Sequence, residues 1–472
     1  MAISFTQPSE VQVATQNNWI ASNAVYDMRK PYIDPKEAKS WGSQDITGLF
    51  EKLGGVNYVP QNQGRHFEED RLQMIVHATG TTVGALGAVT YTIVAGDTIT
   101  SWPPVETPYL ATGTGLGGPT LIPVRVHEVL VFPGNIRGKV TATSGATFTC
   151  TPTGTTDLPT TVAADEIYSL GISVPEGFAG QITSNNWREN VVVWNSEIMQ
   201  DAHESTGTAM VQETWIPFTA PGGKTMYSWW FKGQMNAFKQ FRNYREMKWL
   251  NGQSVTNATT LATNYSAQYQ QTSGLIPFAQ SFGNNALYDL TTGMTLDDFQ
   301  NIVIDTINKN AGATENALYE AIAVKKVLDA FIRVEMQNGG VQYNAFGGDE
   351  KQYVNFGFSS FKVLDYTFHN KVYEPFNNPT MFTDKRNFAV WIPMENNMYK
   401  IDGQTEKVDV SPMRINYLKQ GDTSREWIET LTGGAMKAYT NNSDNIKIDF
   451  VSENGVEFFG SNRYGTITGQ NL

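Results

Sequence analysis

Histidine is the commonest general base and metal ligand, and this chain has five: His66, His77, His127, His203 and His369. None of them pairs at the spacing a metal helix needs. Asp201-Ala202-His203-Glu204 comes nearest to a cluster but lacks a second histidine, and it reads as a solvated turn. The acidic neighbours Glu68-Glu69-Asp70 and Asp297-Asp298 could supply an acid/base pair only if both carboxylates faced one substrate, which adjacent residues seldom do. The second pair has a simpler role at the start of a helix, where carboxylates favour the dipole. Cys150, the single cysteine, sits in a Thr-rich stretch with no histidine nearby and reads as a small packed side chain.

Two further motifs fail on inspection. Gly222-Gly223-Lys224-Thr225 resembles the end of a phosphate-binding loop, but the glycine required five residues before Gly223 is Phe218. Tyr91-Thr92-Ile93-Val94-Ala95-Gly96-Asp97-Thr98 resembles the first strand of a LysM module, yet Pro103-Pro104 block the helix that should follow. One charge pattern is left. Lys232, Lys239 and Arg242 fall on one side of a helical stretch in an otherwise acidic chain. They form either a contact for nucleic acid or an acidic neighbour, or an ordinary solvated face. No catalytic, cofactor-binding or metal-binding residue is expected.

The totals agree with that poverty of chemistry. The 472 residues carry a net charge of −12, so a surface that grips nucleic acid throughout is not expected, though passive containment is open. Hydrophobic residues at 40% and charged residues at 17% describe a folded chain with a sizeable core. The aromatic content of 12% suits large cores or extensive interfaces. A lone cysteine excludes an intrachain disulfide, and the first residues lack the pattern of a secretory signal, so cytoplasmic synthesis is expected. No apolar run approaches the roughly 18 residues of a membrane span.

The positioning elements follow from patterning. Residues 1–42 are polar and aromatic by turns, with Pro31 and Pro35 opposing helix, and read as an extended arm. Ile46, Leu49, Phe50 and Leu53 have helical spacing, ended by Gly54-Gly55. From 79 to 184 Thr, Gly and Val dominate, and Val89–Val94, Ile122–Phe132 and Lys139–Cys150 favour strands, which predicts an inserted all-β domain. Its flanks, 55–78 and 185–220, would be the two sides of one excursion. Lys224 to Leu250 reads as a long helix, within a segment bounded at 221–252. Tyr227, Trp230, Gln234, Ala237, Phe238, Phe241 and Tyr244 gather on one side of it, with Lys232, Lys239, Arg242 and Glu246 opposite. Residues 253–472 open with an Asn/Thr/Gln-rich connector and continue as mixed helix and strand. There Thr295 caps a helix over Asp298, and a second helix covers about Ala323 to Met336.

This order resembles the tailed-phage capsid fold of the Hong Kong 97 type: arm, short helix, long β excursion, spine helix, mixed remainder. Gly357-Phe358-Ser359-Ser360-Phe361-Lys362-Val363-Leu364, Asn387-Phe388-Ala389-Val390-Trp391-Ile392-Pro393 and Arg425-Glu426-Trp427-Ile428-Glu429-Thr430-Leu431-Thr432-Gly433-Gly434 are similar to later parts of such proteins. The crAss-like phages are the nearest group. The resemblance implies an α+β fold with 1–54 as arm and short helix, 55–78 and 185–220 as the stem of the extended loop, and 79–184 as its inserted domain. It makes 221–252 the spine helix of a peripheral domain and 253–472 the axial domain with the remainder of the peripheral one. It implies a major capsid protein, not an enzyme, with no cofactor. Such a subunit would assemble as hexamers and pentamers around packaged double-stranded DNA. Portal, scaffolding and auxiliary capsid proteins would be its partners, with no membrane involved. It would be made in the bacterial host cytoplasm and reside in the virion capsid. The alternatives are a phage tail or receptor-binding protein, or a polysaccharide-acting enzyme with a β-sandwich module.

Overall fold

The computed structural model describes residues 48–50, 55–68, 75–83, 87–93, 122, 124–159, 166–180, 182, 190–211, 218–219, 225–226, 229–253, 255–256, 270–338, 360–378, 380–382, 384–394, 397–399, 408–434, 440 and 442–471. The expected arm over 1–42 lies outside these residues, and of the expected short helix only Leu49 and Phe50 are described, helical and buried. The described residues form two compact units. One draws on 200–243 and 428–450, the other on 47–199, 244–427 and 451–472.

In the larger unit β1 (Gly55–Val59) leads into β2 (Gln63–Glu68), which pairs antiparallel with β9 (Asn190–Asn195) as a two-stranded ribbon. Between β2 and β9 the chain makes a closed barrel. Its strands are β3 (Ile75–Val83), β4 (Val89–Ile93), β5 (Glu128–Phe132), β6 (Ile136–Ser144), β7 (Thr147–Pro152) and β8 (Glu166–Ile172). They close in the order β3-β4-β7-β6-β5-β8. Alternation sets the inside: Val89, Tyr91 and Ile93 are buried, whereas Thr90 and Thr92 are only half-buried. Tyr91 stacks on Phe132 and Phe148 at 4.9 and 5.3 Å, and its hydroxyl donates to the carbonyl of Pro159 at 2.7 Å. Among the described strands of the barrel closure leaves no free edge, so they offer no strand pairing to another chain. The first barrel strand begins at Ile75, ahead of the composition change at 79, because the inward positions Val76 and Ala78 define it rather than the Thr and Gly content.

The second half supplies a six-stranded mixed sheet. Its strands are β11 (Asn284–Asp289), β12 (Glu315–Glu320), β13 (Ser360–Val363), β14 (Tyr366–Val372), β15 (Phe388–Pro393) and β19 (Gly465–Gln470), ordered β11-β19-β15-β12-β14-β13. All six residues of β15 are buried, which is why Phe388–Pro393 reads as an unbroken apolar run. Phe388, Val390 and Ile392 join a core that holds Phe50, Trp249, Phe278, Phe376 and Tyr464. Ala389 and Trp391 join the opposite core with Phe299, Phe331 and Phe368. The helix capped by Thr295, whose hydroxyl accepts from the Asp298 amide at 3.1 Å, passes through a π-helical stretch at Phe299–Ile304. A second helix spans Ile322–Asn338.

The remaining sheet orders β1, β16 (Met413–Gln420), β18 (Asn445–Phe458) and β10 (Glu197–Thr206), with β17 (Ile428–Gly433) pairing β18 as well. The long helix α1 spans Trp229–Asn251, starting later than expected. Thr225 and Met226 instead pair antiparallel with Thr219 and Phe218. The buried side of α1 also differs from the expected stripe. Trp230, Ala237 and Phe241 are buried as anticipated, but then Glu246, Trp249 and Leu250 are buried, while Tyr244 is 45% exposed. The two halves of the helix bury different residues by their own local packing, so no single stripe describes it.

Candidate assembly site

The three expected basic residues all lie on the part of α1 that belongs to the smaller unit. Lys239 is exposed, while Lys232 and Arg242 are half-buried, and the Arg242 guanidinium lies 5.9 Å from the centre of the Phe238 ring. Lys232 and Arg242 both have further partners, so Lys239 is the most available cation of the stripe. The stripe runs about 15 Å at 1.5 Å per residue, with the uncharged, exposed Asn236 and Gln240 along one side of it. Beneath it Phe450 packs on Phe238 and Phe241, each at 6.1 Å. His203 of β10 packs on Trp230 at 5.2 Å, where Gly233 leaves room that any Cβ would fill. Burial depresses the His203 pKa and favours the neutral ring.

The sequence Asp201-Ala202-His203-Glu204 is therefore strand and not turn, a correction set by the alternation of β10 against its neighbours. Its two acids point to opposite faces, Asp201 accepting from the Ala202 amide and Glu204 from the Asn445 side chain. His77 and His127 belong to the barrel region, and His369 forms an exposed pair with Glu315 at 3.0 Å. Cys150 is fully buried, with its thiol pushed up to about 12 by burial and by Glu128. Among the described residues, no group of three or more His, Cys, Asp or Glu side chains is placed to hold a metal ion.

The side-chain cluster that sequence reasoning missed sits at the root of the ribbon. His66 faces two carboxylates: Nδ1 lies 2.9 Å from Glu457 Oε1 and Nε2 lies 3.3 Å from Glu68 Oε1. An ionised carboxylate only accepts, so both ring nitrogens must donate, and the geometry is that of an imidazolium. Burial opposes the charge, but the two carboxylates outweigh it and raise the His66 pKa. Glu457 also accepts from Arg414 Nε and Asn416 Nδ2, both at 2.7 Å. Burial would raise its pKa, yet the bonds from His66, Arg414 and Asn416 hold it below the usual carboxylate range. Glu68 accepts from the Gly460 amide at 2.7 Å and the Ser461 hydroxyl at 3.4 Å. Phe459 closes the site, 4.5 Å from the His66 ring and 4.7 Å from the Arg414 guanidinium.

One step down the ribbon, Trp194 lies opposite Gly64. A Cβ on Gly64 would stand 2.5 Å from the indole, and one on Gly455 would stand 2.9 Å from it and 2.5 Å from the Asn195 carbonyl. Two glycines thus admit one tryptophan, which plugs the ribbon onto β18. His66 and Glu457 are 391 positions apart, so no local pattern could have announced them.

Comparisons with known proteins give no family. No family model matches the chain, and no curated protein matches it in sequence. Solved structures do align with it. A chain of Microbacterium phage Oxtober96 aligns with a TM-score of 0.40 at 8% identity, over 95% of this chain and 99% of that one. A chain from the mature capsid of bacteriophage PhiM1 aligns with a TM-score of 0.33 at 10% identity, over 64% of this chain and 80% of that one. The holo-SrpI encapsulin complex of Synechococcus elongatus gives a TM-score of 0.31 at 9% identity, over 61% and 77%. At that level likeness assigns nothing, and function has to be argued from the chain's own geometry.

Proposed function

We propose that the chain is a structural subunit that self-assembles, as hexamers and pentamers, into the icosahedral Hong Kong 97-type capsid of a tailed phage, the crAss-like phages being the nearest group. The observation that carries this reading is the closed barrel held on a two-stranded ribbon. Such a ribbon is marginal by itself, and here its root is locked by Trp194 and the His66 network. Building so firm a root for an edgeless domain makes sense if the domain bears on another molecule through its side-chain surface. Tyr168 at 48% and Leu170 at 56% exposure, both on β8, supply apolar contact of that kind.

In this reading the protein is not an enzyme. Residues 1–54 are the arm and short helix, 55–78 and 185–220 the loop stem, and 79–184 the inserted domain. The spine segment 221–252 turns Lys232, Lys239 and Arg242 toward packaged double-stranded DNA without sequence preference, and 253–472 surrounds the capsomer centre. Portal and scaffolding proteins, and auxiliary capsid proteins at the barrel, are its partners. Assembly takes place in the host cytoplasm and the product resides in the virion.

Light scattering with negative-stain microscopy over a range of protein and salt concentrations tests the proposal. Rings of five or six subunits, or closed shells, are expected. A monomer under every condition that also binds oligosaccharide would instead favour the polysaccharide-acting enzyme.

A further inference from the structure

His66 is a well-enclosed charged group of the larger unit, with its side chain 11% exposed. It also stands where the ribbon leaves the core. Glu68 lies two residues on in β2, Glu457 comes from β18, and Arg414 reaches Glu457 from β16. With the ring protonated, His66 and Arg414 balance Glu68 and Glu457. Without the proton, one ring nitrogen presents a lone pair to a carboxylate whichever tautomer forms, and the site carries an uncompensated buried negative charge. Arg414 and Asn416 still hold Glu457, while Gly460 and Ser461 still hold Glu68. The clasp across the ribbon is what fails.

We propose that His66 is a proton-operated latch that fixes the ribbon against β18 when charged and frees its barrel-side end when neutral. The Trp194 plug between Gly64 and Gly455 contains no titrating group, so it holds at any pH and acts as the hinge. Register fixes which residues move: His66 pairs with Val192 and Glu68 with Asn190 on the barrel side of the plug, whereas Gln63 pairs with Asn195 on the core side. A raised histidine pKa means the clasp is complete below the ordinary value of 6.5 and is lost as pH rises through the higher folded value. That the latch aims an arm at a neighbouring subunit rests on the shell reading; the latch itself does not.

Hydrogen exchange on the full, unassembled chain tests it, with times scaled for the intrinsic pH effect. Between about pH 6 and about pH 9, protection at 65–68 and 190–193 is expected to fall as the ring loses its proton. Protection at 63–64, 194–195 and in the barrel should stay constant. His66→Gln should show the loose ribbon at both pH values, and Glu68→Gln should blunt the response by removing one carboxylate. Nitrogen NMR of His66 gives a second readout that needs no variant: both ring nitrogens should carry protons at about pH 6, and one should lose its proton as the pH rises. Equal protection at both pH values, or an undiminished pH response in His66→Gln, overturns the proposal. If the latch responds while the chain forms no rings or shells, the shell reading fails and the latch stands; shells with an unresponsive ribbon give the converse.

Discussion

Two histidines, one in each unit, face opposite problems. His66 is enclosed by carboxylates and is kept charged, while His203 is enclosed by Trp230 and the bare backbone at Gly233 and is kept neutral. Burial lowers the pKa of both, and only the partners differ. The stability that His66 contributes is full below 6.5 and is lost as pH rises through its raised folded value. The contribution of His203 is full above 6.5 and is lost as pH falls through its lowered folded value. The ribbon root of the larger unit should therefore weaken as pH rises, and the helix of the smaller one as pH falls. What a buried histidine does is decided by its neighbours' valence and not by its burial.

The strongest way to break the comparison is to remove the charge that His66 answers. Glu457→Gln leaves His66 and Arg414 without their shared carboxylate in a buried site. A loss of about 3–5 kcal/mol is expected, the range for one partner removed from a buried ion pair. Urea denaturation at neutral pH measures it. A loss below about 1 kcal/mol, the scale of a surface pair, would mean the network is not held by charge.

Glu320 sharpens the same point, because it is a buried carboxyl without such a clasp. It is fully buried, and Lys325 approaches no closer than 3.8 Å. Burial and the nearby Asp329 push its pKa up to about 7, against the partial offset of Lys325. With the folded value above the unfolded 4.5, its contribution is full below 4.5 and disappears as pH rises through about 7. Glu320→Gln should therefore be neutral near pH 4 and stabilising near pH 9, by at most about 3 kcal/mol at 1.36 kcal/mol per pKa unit. Equal effects of the substitution at both ends of the pH range would refute the assignment of a buried, titrating carboxyl.

On the His203 side the perturbation is steric. Gly233→Ala places a methyl where the imidazole lies and should cost about 1–3 kcal/mol, as overpacking does. His203→Ala in the same chain should recover most of that loss, and a double-mutant cycle reads the coupling. Additive effects would show that the ring and the glycine do not compete for space.

These pairs also show what was legible. Thr90 and Thr92 between Val89, Tyr91 and Ile93 announce a strand with one inner face, and the barrel follows from such local alternation. Helix α1 is equally plain in its residue types, but its burial is not. Glu246, placed by periodicity on the polar side, is buried and accepts the amides of Leu49 and Phe50 at 3.0 and 3.3 Å. That contact joins residues 197 positions apart. The same distance problem hides the ribbon root: Trp194 finds Gly64 across a barrel-length insertion and Gly455 from the far end of the chain. Patterns with a period reveal elements, whereas sites assembled from several elements leave no period to read.

The smallest effect tests the one site that sequence patterning did offer. Lys239 is exposed on α1, away from the packed Phe238 and Phe241. Lys239→Glu should leave stability within about 0.5 kcal/mol, as surface substitutions do. If the stripe of Lys232, Lys239 and Arg242 faces phosphates, the substitution should still weaken double-stranded DNA binding. The slope of log K against log salt should then fall by about 0.9, one phosphate's worth. With Lys232 and Arg242 already engaged by other partners, the unsubstituted protein itself should show a slope well short of the value for three contacts. Unchanged binding after the substitution would reduce the stripe to a solvated helix face and leave the ribbon root as the cluster with a role to explain.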